Sequence, residues 1–299
     1  MVVDPRHRRL LHLATRASLG VATVLIVCKA VAWYLSGSVS LLAGLTDSVL
    51  DGAASFLNLL AVQYSLRPAD DDHRYGHGKA EAMAGMGQAL FIGVSAVFIT
   101  VQAIERLRTP EPVGEAGLGI AVMILSLVLT VGLLALQHKV VKETGSTAVR
   151  ADSLHYRSDL MLNGSILLAL VLARLGYPQL DALFGLGIAL YILWSAFQIA
   201  SESSAILMDQ ELAPSVGAEM LALACAVPGV LGAHDLRTRK SGQHWFVQLH
   251  LELPGQLTLS AAHALCEQAE AAIVKQFPQA EVLVHADPEE AVPHPQLRP

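Results

Sequence analysis

Asp47 and Asp51 in the segment LTDSVLD, and His155 and Asp159 in RADSLHYRSD, place acidic and imidazole side chains four residues apart inside otherwise apolar stretches. Residues at that spacing on a helix share one face, about 6 Å apart along the axis, so each pair acts as a unit. Brought together, the two pairs offer three carboxylates and one imidazole. That set suits a four-coordinate divalent cation such as Zn2+, and its oxygen-rich mix also admits harder ions such as Fe2+ or Mn2+.

A lone charge at the centre of a membrane helix costs about 2.5–3.5 kcal/mol, so such residues must face a bundle interior and be paired, protonated or metal-bound. Pairing with basic side chains is the plain alternative. Lys29 is the only basic residue well inside an apolar run, and one lysine cannot neutralise three carboxylates. Asp152 stands closer to the start of its helix and reads as a cap or surface residue, so the set is Asp47, Asp51, His155 and Asp159.

The elements that position these residues follow from composition. The chain has 299 residues, 53% hydrophobic and only 15% charged, which is wrong for an ordinary soluble enzyme and right for a membrane chain. A bilayer core of about 30 Å takes a helix of roughly 20 residues. Six runs are long enough, near 14–35, 40–64, 81–107, 116–138, 147–174 and 179–206. The first is too long, and followed by too many others, to be a cleavable leader. Six crossings put both termini on one side. Arg6, Arg8 and Arg9 before the first run, Arg67, Arg74 and Lys79 after the second, and Lys139 and Lys142 after the fourth outweigh Arg106, Arg108 and Arg174 at the other ends. That bias places the termini in the cytoplasm.

Cys28, Cys225 and Cys266 have no paired spacing, so neither a disulfide framework nor a CxxC metal motif is readable. The formal net charge of −6, with no basic patch carrying interleaved aromatics, argues against nucleic acid as a partner. Small residues in the runs, such as Gly85, Gly87, Gly185 and Gly187, read as close-packing positions.

Three regions result: a membrane domain over 1–208, a soluble domain over 209–290, and a tail, 291–299, expected to be disordered. The soluble part reads as αββαβ. Pro214 to Ala226 is helical after a proline start, and Ala233 to Arg239 is a short strand. Lys240, Ser241 and Gly242 make a turn, and His244 to Leu253 alternates, with Trp245, Val247, Leu249, Leu251 and Leu253 on one face. Ser260 caps a helix through Phe277, and Glu281 to His285 forms the last strand.

Several segments together resemble the cation diffusion facilitator family, in its bacterial zinc and ferrous-iron efflux branch. They are SGSVSLLAGLTDSVLD, YSLRPADDDHRYGHGKAEA, VRADSLHYRSDLMLNG and GAHDLRTRKSG, with HLEL and VLVHADP later, and the likeness runs from about residue 10 to 290. The patterns DxxxD, HxxxHGKxE and HxxSD occur in order. The resemblance implies six transmembrane helices and a cytoplasmic ferredoxin-like domain. It also implies a homodimer in the bacterial inner membrane that exports divalent metal (Zn2+, with Cd2+, Fe2+ or Mn2+ as other candidates) in exchange for protons.

It implies site residues as well. The transport site maps to Asp47, Asp51, His155 and Asp159, the set already chosen on physical grounds. A second site in the polar loop maps to Asp70, His73 and His77, and a cytoplasmic-domain site to His234, His250, His263, His285 and Asp287. Lys79 would pair with Asp209, although Gln210 stands where an arginine often follows that aspartate. His244 and His294 match nothing and read as surface residues.

Two other functions compete with transport. A membrane metalloenzyme would be expected to carry HExxH with its glutamate as general base, and the chain has no such motif. A membrane-anchored metal sensor would leave the carboxylates inside the spans without purpose. The chain is therefore expected to be a transporter and not an enzyme.

Overall fold

Apolar runs in lipid must satisfy their own backbone hydrogen bonds, and a helix does so within one segment. Six helices carry these runs: α1 (Pro5–Ser36), α2 (Val39–Ser65), α3 (Lys79–Arg108), α4 (Gly117–Thr144), α5 (Thr147–Arg174) and α6 (Leu180–Leu207). The computed structural model describes residues 4–36, 39–108, 117–174 and 180–291; the expected tail, from 292 on, lies outside the described residues. Among the described residues, four stretches are long and apolar enough to cross a membrane: Pro5–Leu35, Gly44–Ser65, Lys79–Val101 and Ala121–Thr144. α5 is as long, but carries Arg150, Asp152, Arg157 and Asp159 in its first half.

Two helix ends differ from the sequence expectation for local reasons. α1 starts at Pro5, since proline at the first helical position needs no N–H partner and Asp4 Oδ1 accepts the Arg6 N–H at 2.8 Å. α4 continues past 138 to Thr144, because nothing in that stretch breaks a helix before Gly145, which takes a φ of 61°. Ser146 Oγ then accepts the Val149 N–H at 3.2 Å and opens α5.

The helices pack in two apolar clusters. Leu11 and Ala14 of α1, Val62 of α2, Val140 of α4 and Val149 of α5 form one, and Ala89, Ile92 and Ala96 of α3 with Leu154 of α5 and Ile192 and Ala196 of α6 form the other. Gly85 permits the second. A Cβ there would stand 2.8 Å from Ser203 Oγ and 3.0 Å from Thr147 Cγ2, whereas Gly87 and Gly187 face open space.

A separate compact unit begins at Ala205. It contains α7 (Pro214–Cys225), β1 (Gly232–Ser241), β2 (His244–Leu253), α8 (Leu259–Gln276) and β3 (Ala280–Pro288), the expected αββαβ order. β1 pairs antiparallel with β2, and β2 pairs parallel with β3. A parallel pair needs a crossover, which α8 supplies. Val247, Leu249 and Leu251 of β2 pack with Met220 and Ala224 of α7 and Ala269 and Ile273 of α8.

Details of this unit correct the sequence reading. β1 runs through Ser241, so the turn is Gly242, at a φ of 58°, and Gln243. Phe246, on the face expected to be polar, is buried, with the Arg239 guanidinium 5.0 Å from its ring centroid. Thr258, not Ser260, caps α8 and accepts the Ala261 N–H at 3.3 Å. β3 extends on to Pro288, which places His285 and Asp287 two residues apart on one face of a strand.

Candidate metal sites

The helical spacing in α2 and α5 brings three of the four expected membrane ligands together. His155 Nε2 lies 2.9 Å from Asp51 Oδ1 and 3.6 Å from Asp159 Oδ2, and one ligand atom from each residue falls within a 4.8 Å group. Asp47 stands one turn earlier on α2, with its carboxylate outside that group. Lys29 makes no ion pair with these carboxylates among the described residues: its Nζ donates to Gly44 O at 3.0 Å and Ser48 Oγ at 2.6 Å. Phe91 stands edge-on to the His155 ring, with centroids 6.2 Å apart.

Asp152 contradicts the sequence reading. It is neither a cap nor a surface residue, with only 1% of its surface exposed. Ser18 Oγ and Gln137 Nε2 donate to its Oδ2 at 2.6 and 2.7 Å, and Gln88 Nε2 donates to its Oδ1 at 3.1 Å. Its partners come from α1, α4 and α3, and no local pattern announces such contacts. The available signal was the start of α5 at Thr147, which puts Asp152 in the second turn.

In the loop between α2 and α3, Asp70, His73 and His77 also form a 4.8 Å group. Asp70 Oδ1 accepts the backbone N–H groups of His73 at 2.7 Å and Asp72 at 3.1 Å, which folds the loop back on its own carboxylate. The His73 backbone bond, chiefly, holds the Asp70 carboxyl below the usual carboxylate range. His73 Nδ1 stands 3.2 Å and His77 Nε2 3.3 Å from that carboxylate. His77 is buried against Tyr64, ring centroids 4.6 Å apart, and its Nδ1 has no hydrogen-bond partner among the described residues. Lys79 and Glu81 follow in the first turn of α3, where an acidic side chain complements the helix dipole.

The strand register assembles the third group. His234 is opposite His250, and His250 is opposite His285, so three imidazoles form a row across β1, β2 and β3. Asp287 sits among them, 2.7 Å from His250 Nδ1, 3.4 Å from His234 Nε2 and 3.1 Å from His285 Nε2. His234 Nδ1 is 3.1 Å from Glu252 Oε1, a partner that leaves Nε2 aimed at Asp287. A bulge between His234 and Arg237 puts Asp235 at a φ of 46° beside this row, its carboxylate 3.7 Å from His250 Nε2. His263 is not brought in. It is exposed on α8, 3.4 Å from Glu267. Asp209, in the same unit, accepts from Arg239 at 3.4 Å.

The cation efflux transmembrane domain family matches residues 15–208, and the cation efflux protein cytoplasmic domain matches residues 214–289. The chain is 48% identical over 291 residues to the cation-efflux pump FieF of Citrobacter koseri, covering 97% of each chain. It is 46% identical over 291 residues to the pump of the same name from Yersinia enterocolitica, again with 97% of each chain covered. Among solved structures it is similar to CzrB in its Zn form, at 30% identity and a TM-score of 0.27 over 29% of this chain and 100% of that one. A variant of the MamM CTD is 31% identical, with a TM-score of 0.24 over 25% of this chain and 94% of that one.

Proposed function

Since the chain belongs to the cation efflux transporter family, we propose that it exports Zn2+, with Cd2+, Fe2+ or Mn2+ as further substrates, by proton-coupled antiport. Efflux of divalent metal cations across a membrane, by a multi-pass helical protein, is the activity of its relatives. The finer reading places it in the bacterial inner membrane as a homodimer, with both termini cytoplasmic.

The observation that carries this reading is the Asp51, His155 and Asp159 group, held among helices with no lysine or arginine ion-paired to it among the described residues. Carboxylates in that position are costly unless a cation or protons join them. Asp47, one turn away on α2, completes a four-ligand shell once an ion draws the helices in. Metal binds only neutral imidazole and ionised carboxylate, so protons and metal compete for the same atoms. Alternating access turns that competition into exchange: metal enters from the cytoplasm and displaces protons, then leaves outward as the ligands reprotonate. A largely apolar groove of about 900 Å3 between α2 and α3 reaches from Arg67 and Tyr64 to Phe91, the neighbour of His155.

The loop group and the histidine row are metal-binding in this reading and serve the cytoplasmic side. Proteoliposomes test the proposal: an imposed zinc gradient should drive opposing proton flux. Zinc movement without proton flux would remove the antiport, and no zinc movement would remove transport altogether.

A further inference from the structure

The exchange just described does not use Asp152. This residue precedes His155 by three positions on α5, a spacing that sets the two side chains on one helix face about 5–6 Å apart at Cβ. Everything that touches its oxygens is a donor: the Ser18 hydroxyl from α1, the Gln88 amide from α3 and the Gln137 amide from α4. No basic side chain pairs with it among the described residues. Three donors from three other helices converge on this one buried carboxyl group, and the 2.6 Å bond from Ser18 is a short one.

The network also reaches α2. Ser18 Oγ is 3.2 Å from Ser55 Oγ, which is 2.9 Å from Tyr156 Oη, and Tyr156 Oη donates to Ser18 O at 3.2 Å. Ser55 lies four residues after Asp51, on the same face of α2, and Tyr156 is next to His155. The polar cluster therefore ties the α2 and α5 faces that bear the metal ligands to α1, α3 and α4.

We infer that Asp152 is a positioning residue of the transport site: by gathering donors from α1, α3 and α4 it fixes α5 so that His155 meets Asp51. The inference rests on the proposal that this site holds the transported ion. It goes beyond that proposal by assigning metal affinity to a residue that is not a ligand.

The test is zinc uptake kinetics of the full chain in proteoliposomes for wild type, Asp152→Asn, Ser18→Ala and Asp51→Asn. Asparagine keeps the shape of the side chain but puts a donor NH2 where one acceptor oxygen stood, so this change disturbs the hydrogen bonds more than the packing. Asp152→Asn should raise KM for zinc about tenfold with kcat within about twofold, the effect of disturbing hydrogen bonds that hold His155 in place. Ser18→Ala should raise KM about threefold by removing one of the donors that hold Asp152. A wild-type KM in Asp152→Asn overturns the inference. If that variant fails to reach the membrane, Ser18→Ala decides, and a wild-type KM there overturns it equally. Asp51→Asn separates this failure from a deeper one: it should not transport, and wild-type transport by it would remove the site itself.

Discussion

The Asp51, His155 and Asp159 group and the His234, His250 and His285 row with Asp287 both gather metal-binding side chains, yet they are held by different means. Helical i, i+4 spacing builds the first, which is rich in oxygen and enclosed by apolar packing. Cross-strand register builds the second, which is rich in nitrogen and lies on a small sheet, with His234, His250 and Asp287 half-buried and His285 exposed. Charge inside a membrane bundle needs a reason in every copy of the protein, whereas histidines at the surface of a soluble domain do not. If the chain works as proposed, the difference ties the membrane group to turnover and leaves the sheet group dispensable for the exchange itself.

The largest expected effect falls on the first group. Asp51→Ala or Asp159→Ala should bring zinc transport down to the level of empty vesicles while the protein still inserts, since a four-ligand shell has lost a member. Transport at the wild-type rate by either variant would erase the contrast between the two groups. His155→Asp is milder. It makes the site all-oxygen and should move the zinc-to-manganese uptake ratio toward manganese by on the order of tenfold, while altering the pH dependence of uptake. An unchanged ratio and pH profile would leave the carboxylates alone in the coupling.

His234→Ala combined with His250→Ala should lower the number of zinc ions bound per chain, measured by equilibrium dialysis, and leave transport at the Asp51 group measurable. An unchanged metal count would return these histidines to ordinary surface.

The loop group sharpens the comparison through pH. The Asp70 carboxyl is held below its usual range, so its contribution is fully present above the unfolded value of about 3.9 and is lost only as pH falls through the depressed value. Asp70 therefore stays ionised between pH 6 and 7.5. Asp70→Asn should weaken metal binding in the loop by about tenfold at both pH values alike. A loss confined to one of them would contradict a carboxylate that stays ionised across that range. The smallest effect is structural: Thr258→Ala removes the α8 cap and should destabilise the cytoplasmic unit by about 1 kcal/mol in a thermal melt.

Much of the membrane group was legible because helix period alone puts Asp47 with Asp51 and His155 with Asp159 on common faces. Asp152 was not, since its three donors come from α1, α3 and α4 and only folding brings them to it. In the soluble unit the αββαβ order could be read from alternation and turn residues. The alignment of His234, His250 and His285 depends on pairing register, and the burial of Phe246 depends on Arg239 arriving from the neighbouring strand. Thr258 and Ser260 are equally good caps in isolation, and the first turn of α8 chooses between them.

The most direct measurement is zinc X-ray absorption on a full-length variant in which His73, His77, His234, His250, His263 and His285 are all alanine, leaving the membrane group as the intended binding site. The expected spectrum is one zinc per chain with a single nitrogen from His155 and oxygens from the aspartates, at about 2.0–2.2 Å. Absence of bound zinc, or a shell dominated by nitrogen, would contradict the assignment of the transported ion to Asp47, Asp51, His155 and Asp159.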